Sequence, residues 1–445
     1  MPVLRRSKFL IVATCTLVFA AFAVLVLTKP ITQDEGVFLT IGKYLNQGWL
    51  PYQDMVDHKP PAIHFLFAAL FMVFGTSVWV IKIALIASVA GTAVLLGKIS
   101  ELLKPGAGWY AATIFLFLMT QFEGYFLITE PFMLLPLLLC IWLILRWSQS
   151  GRSMFVAGVC AAIVTLFKQT GILSVLPLLL LVYKAPKKSI MSLVAGFVVP
   201  FLALGIYLFA KREIGEAWHQ VVTLTLMSYP REPLGYILQS LKTNFTWTLP
   251  IWMLALVGLS TKIPNKKILG ALVLLPLPFM FFRHYPHYWV QVLPFVALIS
   301  AAVLVKFRKP ALTVATLVFC LAIANGKVSQ DMGPNYNRLR AQFDVAKILR
   351  DDPAKVVLAE NQFSGFYFLL PQKNLNKFLY ITEITNAVGA EQQTISDLQR
   401  SQSVIILWPE DPNFAYAKDL QKFILENGVT EKEFLEMGMR VMGLH

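Results

Sequence analysis

Charge is scarce in this chain, and cysteine scarcer still. Only 14% of its 445 residues are charged, against 57% that are apolar. Soluble domains carry about 25% charged residues, so most of this chain is solvated by lipid. The four cysteines, Cys15, Cys140, Cys160 and Cys320, all lie in apolar runs and form no CxxC pair, which excludes a disulfide framework and a zinc knuckle. Nor do the basic residues form a continuous stripe. The formal net charge of +14 sits in short clusters between apolar runs, so charge sets orientation in a membrane and no nucleic-acid partner is implied. No internal repeat or low-complexity tract stands out, and the C-terminal stretch lacks a GxGxxG, a Walker sequence and a Ser-His-Asp arrangement.

What the chain has in abundance is long apolar runs. A span needs about 20 apolar residues, and cytoplasmic loops collect Lys and Arg. The run from Phe9 to Leu27 follows Arg5, Arg6 and Lys8. Its "AFA" at 21–23 imitates a signal-peptide cleavage site, yet the run is too long for a typical signal core and long enough to span. It is kept as the first helix, leading outward. Alternation of basic loops then predicts spans at 78–97, 109–127 and 131–145, a short hairpin over 154–183, a span at 190–210 and four more before Lys327. The expectation is about eleven spans with the N-terminus inside. "KPPAIHFLFAALFMVFGTS" has a short apolar part and reads as an interfacial helix rather than a span.

From about Val328 the composition turns soluble. "KVVLAE" (355–360) and "SVIILWPED" (403–411) read as buried strands, and "EQQTISDLQR" and "AYAKDLQKFILENG" as amphipathic helices. The expected fold is a polytopic α-helical membrane domain (1–327) followed by a small extracytoplasmic α/β domain (328–445), in the cytoplasmic (inner) membrane.

That threading delivers nearly every unusual polar residue to the outer surface. Asp34 and Glu35 follow the first helix; Asp54, Asp57, His58 and Lys59 lie in "YQDMVDHKPP"; Glu123 and Glu130 follow the third; Arg283, His284, His287 and Tyr288 lie in "RHYPHYWVQVLP". Charges near lipid are costly and are retained where they function. Each group also has a bland reading. "TQDE" matches a capping box, with Thr32 as cap and Glu35 reaching back, and Asp34 would complement the helix dipole. "DHKPP" can be a turn only, Glu130 a first-turn acid, and the aromatic run an interfacial belt. Lys168, in "TLFKQTG", falls about 15 residues into its expected helix, roughly 22 Å along it; from there it either snorkels to the surface or reaches a phosphate.

Taken together, "DE" after the first span, "DHKPPAIHFLF", "TEPFMLLPLLL", "TLFKQTG" and "RHYPHYWVQVLPF" resemble the GT-C glycosyltransferases of the protein O-mannosyltransferase and lipid A aminoarabinose-transferase type. The resemblance covers about 1–310. It implies a sugar donor on a polyprenyl phosphate, a lipid, glycan or protein acceptor, and inverting transfer outside the membrane. By similarity, Asp34 matches the general base. Glu35 and Glu130 would position the acceptor or Asp34, although many relatives carry Asp where this chain has Glu130. Lys59 and Lys168 match basic positions facing the donor phosphate, and Tyr288 an aromatic beside it. His58, Arg283 and His287 are added to that donor set from the same loops. The implied chemistry requires no metal; the carboxylates and His58 leave room for an incidental divalent ion. Two other classes remain in view. One is a secondary transporter, for which Pro276 and Pro278 would mark a broken helix. The other is a non-catalytic lipid-binding protein of envelope assembly, in which "DE" is only a cap.

Overall fold

The computed structural model describes residues 2–227, 233–280, 285–307, 310–401, 403–410 and 417–444. The chain begins with α1 (Pro2–Thr28), α2 (Gln33–Leu45), α3 (Ala62–Phe74), α4 (Val78–Leu103), α5 (Gly108–Gln121), α6 (Thr129–Trp147) and α7 (Gly151–Phe167). Among the described residues, five helical segments are long and apolar enough to cross a bilayer: Phe9–Thr28, α4, α6, Lys187–Ala210 and Ala311–Leu349. About eleven spans were expected from the apolar runs, and chain punctuation explains why so few qualify. The other apolar helices, α3, α7, Gln169–Val182, Leu249–Ser260 and Leu293–Lys306, have only 10–17 residues. At 1.5 Å per residue they extend roughly 15–26 Å, short of a hydrocarbon core of about 30 Å. Pro276 separates the helix Lys266–Leu274 from Leu277–Met280, as its missing N–H dictates. Lipid contact is clearest for Lys187–Ala210, where only 11% of the most apolar window is buried inside the chain.

Two compact units form. One comprises Met1–Leu27, Lys82–Leu204 and Arg231–Met332; the other comprises Thr28–Ile81, Gly205–Pro230 and Gly333–His445. The C-terminal residues therefore fold together with the segment after α1 and with a stretch near residue 220. A single helix, Pro310–Leu349, runs through the 327/328 division drawn from composition.

The second unit holds a five-stranded sheet of order β2-β1-β3-β5-β4, with β1 (Val356–Ala359), β2 (Lys373–Asn374), β3 (Val404–Pro409), β4 (Gly428–Phe434) and β5 (Met439–Leu444). β1 pairs in parallel with β2 and β3, while β5 runs antiparallel to β3 and β4. The two expected strands are the central β1 and β3, whose continuous apolar runs suit burial on both faces. The two expected amphipathic helices are Ala390–Arg400 and Lys418–Asn427. β4, largely exposed and rich in charge, gave no apolar signal. The core beside the sheet includes Leu358, Phe378, Ile406, Trp408, Leu420, Ile424 and Met442, and also Val56 from the "YQDMVDHK" loop. The Val56 amide donates to Lys377 O at 3.0 Å. That loop is thus anchored in the sheet's core.

α2 is mounted on the same unit by glycine. A Cβ on Gly36 would stand 2.8 Å from Gly365 Cα and against the Ser364 backbone, and one on Gly42 would stand 2.8 Å from Phe67 Cβ of α3. Both faces of α2 pack backbone-close, which only glycine permits. Overpacking of such a contact costs about 1–3 kcal/mol. Gly36→Ala should therefore lower the thermal unfolding midpoint of the detergent-solubilised protein by several degrees, and Gly215→Ala, with open space around it, should leave it unchanged.

Candidate functional site

α2 starts where the sequence signals a cap. The Glu35 carboxylate accepts the Thr32 amide at 2.8 Å and the Thr32 hydroxyl at 2.6 Å, and takes the Lys29 ammonium at 2.5 Å. Glu35 is 2% exposed. Its charge is consumed by the helix start. Asp34, one residue earlier, is only partly buried, and among the described residues no donor reaches its carboxylate. Of the adjacent acids, one builds the mount and the other faces outward from it, at the positive end of the helix dipole.

Further bonds pin α2 at both ends. Gln342 brackets Ile31 with bonds of 2.9 and 2.8 Å to its N–H and C=O, and the Ser364 hydroxyl donates to Gln33 O at 2.8 Å. At the far end the Lys43 ammonium donates to the carbonyls of Tyr367, Phe368 and Leu370, at 3.4, 3.2 and 2.9 Å. These close the helix Gly365–Leu369, where carbonyls lack intrahelical partners. Burial pushes the Lys43 amine down to about 8.

The loop Tyr52–Lys59 is held from three directions. Glu213 Oε1 accepts the amides of Tyr52 and Gln53 at 3.0 and 3.1 Å. Gln220 donates to Tyr52 O at 2.6 Å and accepts the Asp57 amide at 3.1 Å. Gln220 belongs to a π-helical turn, His219–Leu224, a geometry that occurs most often at functional sites. On α3, His64 Nε2 meets Asp57 Oδ2 at 2.9 Å. Asp57 is 1% exposed. Burial by itself would raise its carboxyl; the His64 hydrogen bond and the nearby basic groups of His64 and Lys59 prevail and hold it at about 2. Tyr380 donates to Asp57 Oδ1 at 3.4 Å, and its phenol is held well above the ordinary range, first by burial and then by the charges of Asp57 and Asp34. His58 lies between Tyr380 Oη (3.1 Å, Nδ1) and the Lys59 ammonium (3.0 Å, Nε2). Both ring nitrogens are engaged, so His58 offers no lone pair to a metal. Among the described residues no cluster of three or more His, Cys, Asp or Glu is arranged to hold one.

The first unit carries a second polar cluster. Lys168 donates to Glu130, whose other oxygen accepts the Thr129 hydroxyl at 2.8 Å. The Lys168 ammonium also lies 3.7 Å from the centroid of the Tyr288 ring, a cation–π contact. Contrary to the sequence reading, Lys168 is not inside a helix. α7 ends at Phe167, and Lys168 is extended, with φ −153° and ψ 136°. The chain re-forms as a tight turn at Gln169–Gly171, where a Cβ on Gly171 would collide with the Val164 carbonyl. Extension turns the lysine inward, so it does not snorkel. Breaking such a buried pair costs about 3–5 kcal/mol, because it strands the remaining charge. Beside it, Gln291 donates to Thr170 O at 3.0 Å and to Ser174 Oγ at 2.7 Å. His287 Nδ1 meets Glu123 at 2.9 Å, and Glu123 adopts a left-handed φ of 56°, a strained state for a non-glycine residue. Arg283 lies outside the described residues.

The predicted residues thus fall into two groups. Asp34, Glu35, His58 and Lys59 share the second unit; Glu130, Lys168, His287 and Tyr288 share the first. Sequence reasoning missed Lys29, His64, Glu213, Gln220 and Tyr380 as partners. His64 had a signal, one turn into α3 and seven residues from Asp57. Tyr380 had none, since it meets His58 across 322 residues of chain.

No family model matches this chain, and no curated protein matches it either. Solved structures do. The crystal structure of ArnT from Cupriavidus metallidurans bound to undecaprenyl phosphate aligns with a TM-score of 0.66 at 12% identity, covering 98% of this chain and 97% of that one. The apo structure of ArnT from the same organism aligns with a TM-score of 0.66 at 11% identity, covering 99% and 98%. The chain shares the fold of these ArnT structures over nearly its whole length, as the sequence resemblance led one to expect.

The depressed carboxyl of Asp57 fixes a pH dependence. Its folded value of about 2 lies below the ordinary 3.8, so ionised Asp57 stabilises the fold by about 2 kcal/mol. That contribution is complete above about pH 4 and is lost as pH falls through 2. Thermal unfolding of the native protein and of Asp57→Asn should differ most at neutral pH and converge across that window.

Proposed function

We propose that this chain is a membrane glycosyltransferase that moves a sugar from a polyprenyl-phosphate donor to an acceptor hydroxyl, with inversion at the anomeric carbon and with Asp34 as general base. The observation that carries the reading is the contrast within the acidic pair. Glu35 is buried and fully engaged, while Asp34 is partly exposed on a helix start fixed by Gln342, Ser364 and the Gly36–Gly365 approach. A base must come within about 3 Å of the proton donor in a fixed direction, and a carboxylate on a rigid mount, with no competing donor among the described residues, meets that need. Glu35 acts as its positioning residue. The likeness in fold to ArnT, crystallised with undecaprenyl phosphate, supports the donor class.

The leaving group is a phosphate diester becoming a monoester, so negative charge grows as the glycosidic bond breaks. Fixed cations in a poorly hydrated site stabilise such charge by about 2–4 kcal/mol each. Lys59, with His58 beside it, is the proposed phosphate-facing group of the second unit; the sequence resemblance gives the same role to Lys168 and Tyr288, to which His287 and Arg283 are added from the same loop. Glu130 keeps Lys168 oriented. The donor's lipid anchor needs no nucleotide pocket, in keeping with a sequence that lacks phosphate-binding glycines. The acceptor class is a lipid, glycan or protein hydroxyl. We place the reaction at the outer face of the inner membrane, with the N-terminus cytoplasmic and residues 328–445 extracytoplasmic, from the distribution of basic loops.

Loss of a general base costs about 10²–10⁴-fold in rate. In Asp34→Asn, sugar transfer, followed by mass spectrometry of envelope extracts from cells with and without the protein, should fall by that factor while the unfolding midpoint stays put. Undiminished transfer would leave "DE" a helix cap and return the chain to the assembly-protein reading.

A further inference from the structure

Beside Lys59 the tautomer of His58 is set by its two neighbours. An ammonium only donates, so the 3.0 Å contact from Lys59 Nζ obliges His58 Nε2 to accept. The ring proton then sits on Nδ1, 3.1 Å from Tyr380 Oη. Ionised Asp57 only accepts, so Tyr380 directs its own hydrogen to Asp57 Oδ1, 3.4 Å away, and presents a lone pair to His58. The direction of the chain is set: Lys59 to His58, His58 to Tyr380, Tyr380 to Asp57. Asp57 Oδ1 also accepts the Lys59 amide at 3.3 Å, and Oδ2 meets His64.

Tyr380 is itself held on both sides. The next residue, Ile381, donates its amide to Asn361 Oδ1 at 2.8 Å and accepts Asn361 Nδ2 at 2.6 Å, and the Thr385 hydroxyl donates to Tyr380 O at 3.3 Å. The phenol is 7% exposed and has little freedom to follow its partners. Without the phenol oxygen, Asp57 Oδ1, 3.6 Å from His58 Nδ1, is an acceptor within reach of a small ring rotation. A ring that turns toward it carries Nε2 away from Lys59.

We propose that Tyr380, from the C-terminal part of the chain, is a positioning residue that fixes His58 as its Nδ1–H tautomer and thereby aims the Lys59 ammonium at the donor phosphate. The inference rests on the reading of Lys59 as a phosphate-facing group. The C-terminal part is then no passive cap: it contributes one link of the donor-binding chain.

The test uses the full-length protein in lipid nanodiscs, with undecaprenyl phosphate as the probe. The protein has six histidines, so ¹⁵N-histidine NMR with His58→Ala as reference identifies the His58 ring. The unsubstituted protein should show His58 protonated at Nδ1, and Tyr380→Phe should shift it toward mixed tautomers. The same variant should bind undecaprenyl phosphate about three- to tenfold more weakly, the effect of one hydrogen bond. In a Lys59→Ala background the Tyr380 substitution should add no further loss. A His58 ring protonated at Nε2 in the unsubstituted protein would overturn the proposal, whatever the stability of the variant. So would Tyr380→Phe binding as tightly as the unsubstituted protein while Lys59→Ala binds less tightly. Undiminished binding by Lys59→Ala itself is a separate result: it refutes the phosphate role of Lys59 on which the inference stands.

Discussion

The close approach of Gly36 to Gly365 sets the geometry on which the proposed chemistry depends. Two backbones meet there without side chains between them, and the first turn of α2 is fixed as a consequence. Lys29, Thr32 and Gln342 complete the clamp at one end of the helix and Lys43 at the other. Conformational freedom at a reacting carboxylate weakens catalysis, since misplacement by about 1 Å can cost 10²-fold. The helix bearing Asp34 is therefore built into the packed interior of the unit that also holds the sheet.

Charge is distributed to match. Three buried acids, Glu35, Asp57 and Glu130, each have a basic partner, Lys29, His64 and Lys168, whereas buried Glu213 is met by the amides of Tyr52 and Gln53. Each pair is shielded from water, where an uncompensated charge would be costly. Asp34 departs from this pattern by having no such partner among the described residues. The loop "YQDMVDHK" shows how much structure supports one small segment. It takes bonds from Glu213 and Gln220 on one side, His64 on another and Tyr380 on a third, and Val56 inserts into the core beside the sheet.

Much of this was legible in the sequence. The capping box at Thr32–Glu35, the apolar strands β1 and β3, the two amphipathic helices and the interruption at Pro276 follow from local rules, and the structure carries them. Local rules failed where tertiary contacts decide. Helix ends at Lys168 and Pro276 interrupt apolar runs that composition would continue, so among the described residues fewer single helices reach spanning length than the runs suggest. The inward turn of Lys168 depends on an extended residue after α7 and on Gly171 meeting Val164, neither of which has a periodic signature. The burial of Asp57, the role of Tyr380 and the inclusion of residues 28–81 with the C-terminal sheet arise from contacts hundreds of residues apart, which no window along the chain can register.

The central claim is that Lys59 receives the phosphate of a polyprenyl-linked donor on a scaffold that presents Asp34 for proton transfer. Electron cryo-microscopy of the full-length protein with undecaprenyl phosphate tests it most directly. A phosphate oxygen should lie within hydrogen-bonding distance of Lys59 Nζ, about 3 Å, with the Asp34 carboxylate facing the open side of that phosphate. A bound phosphate remote from Lys59, with Asp34 turned away from it, would contradict the account.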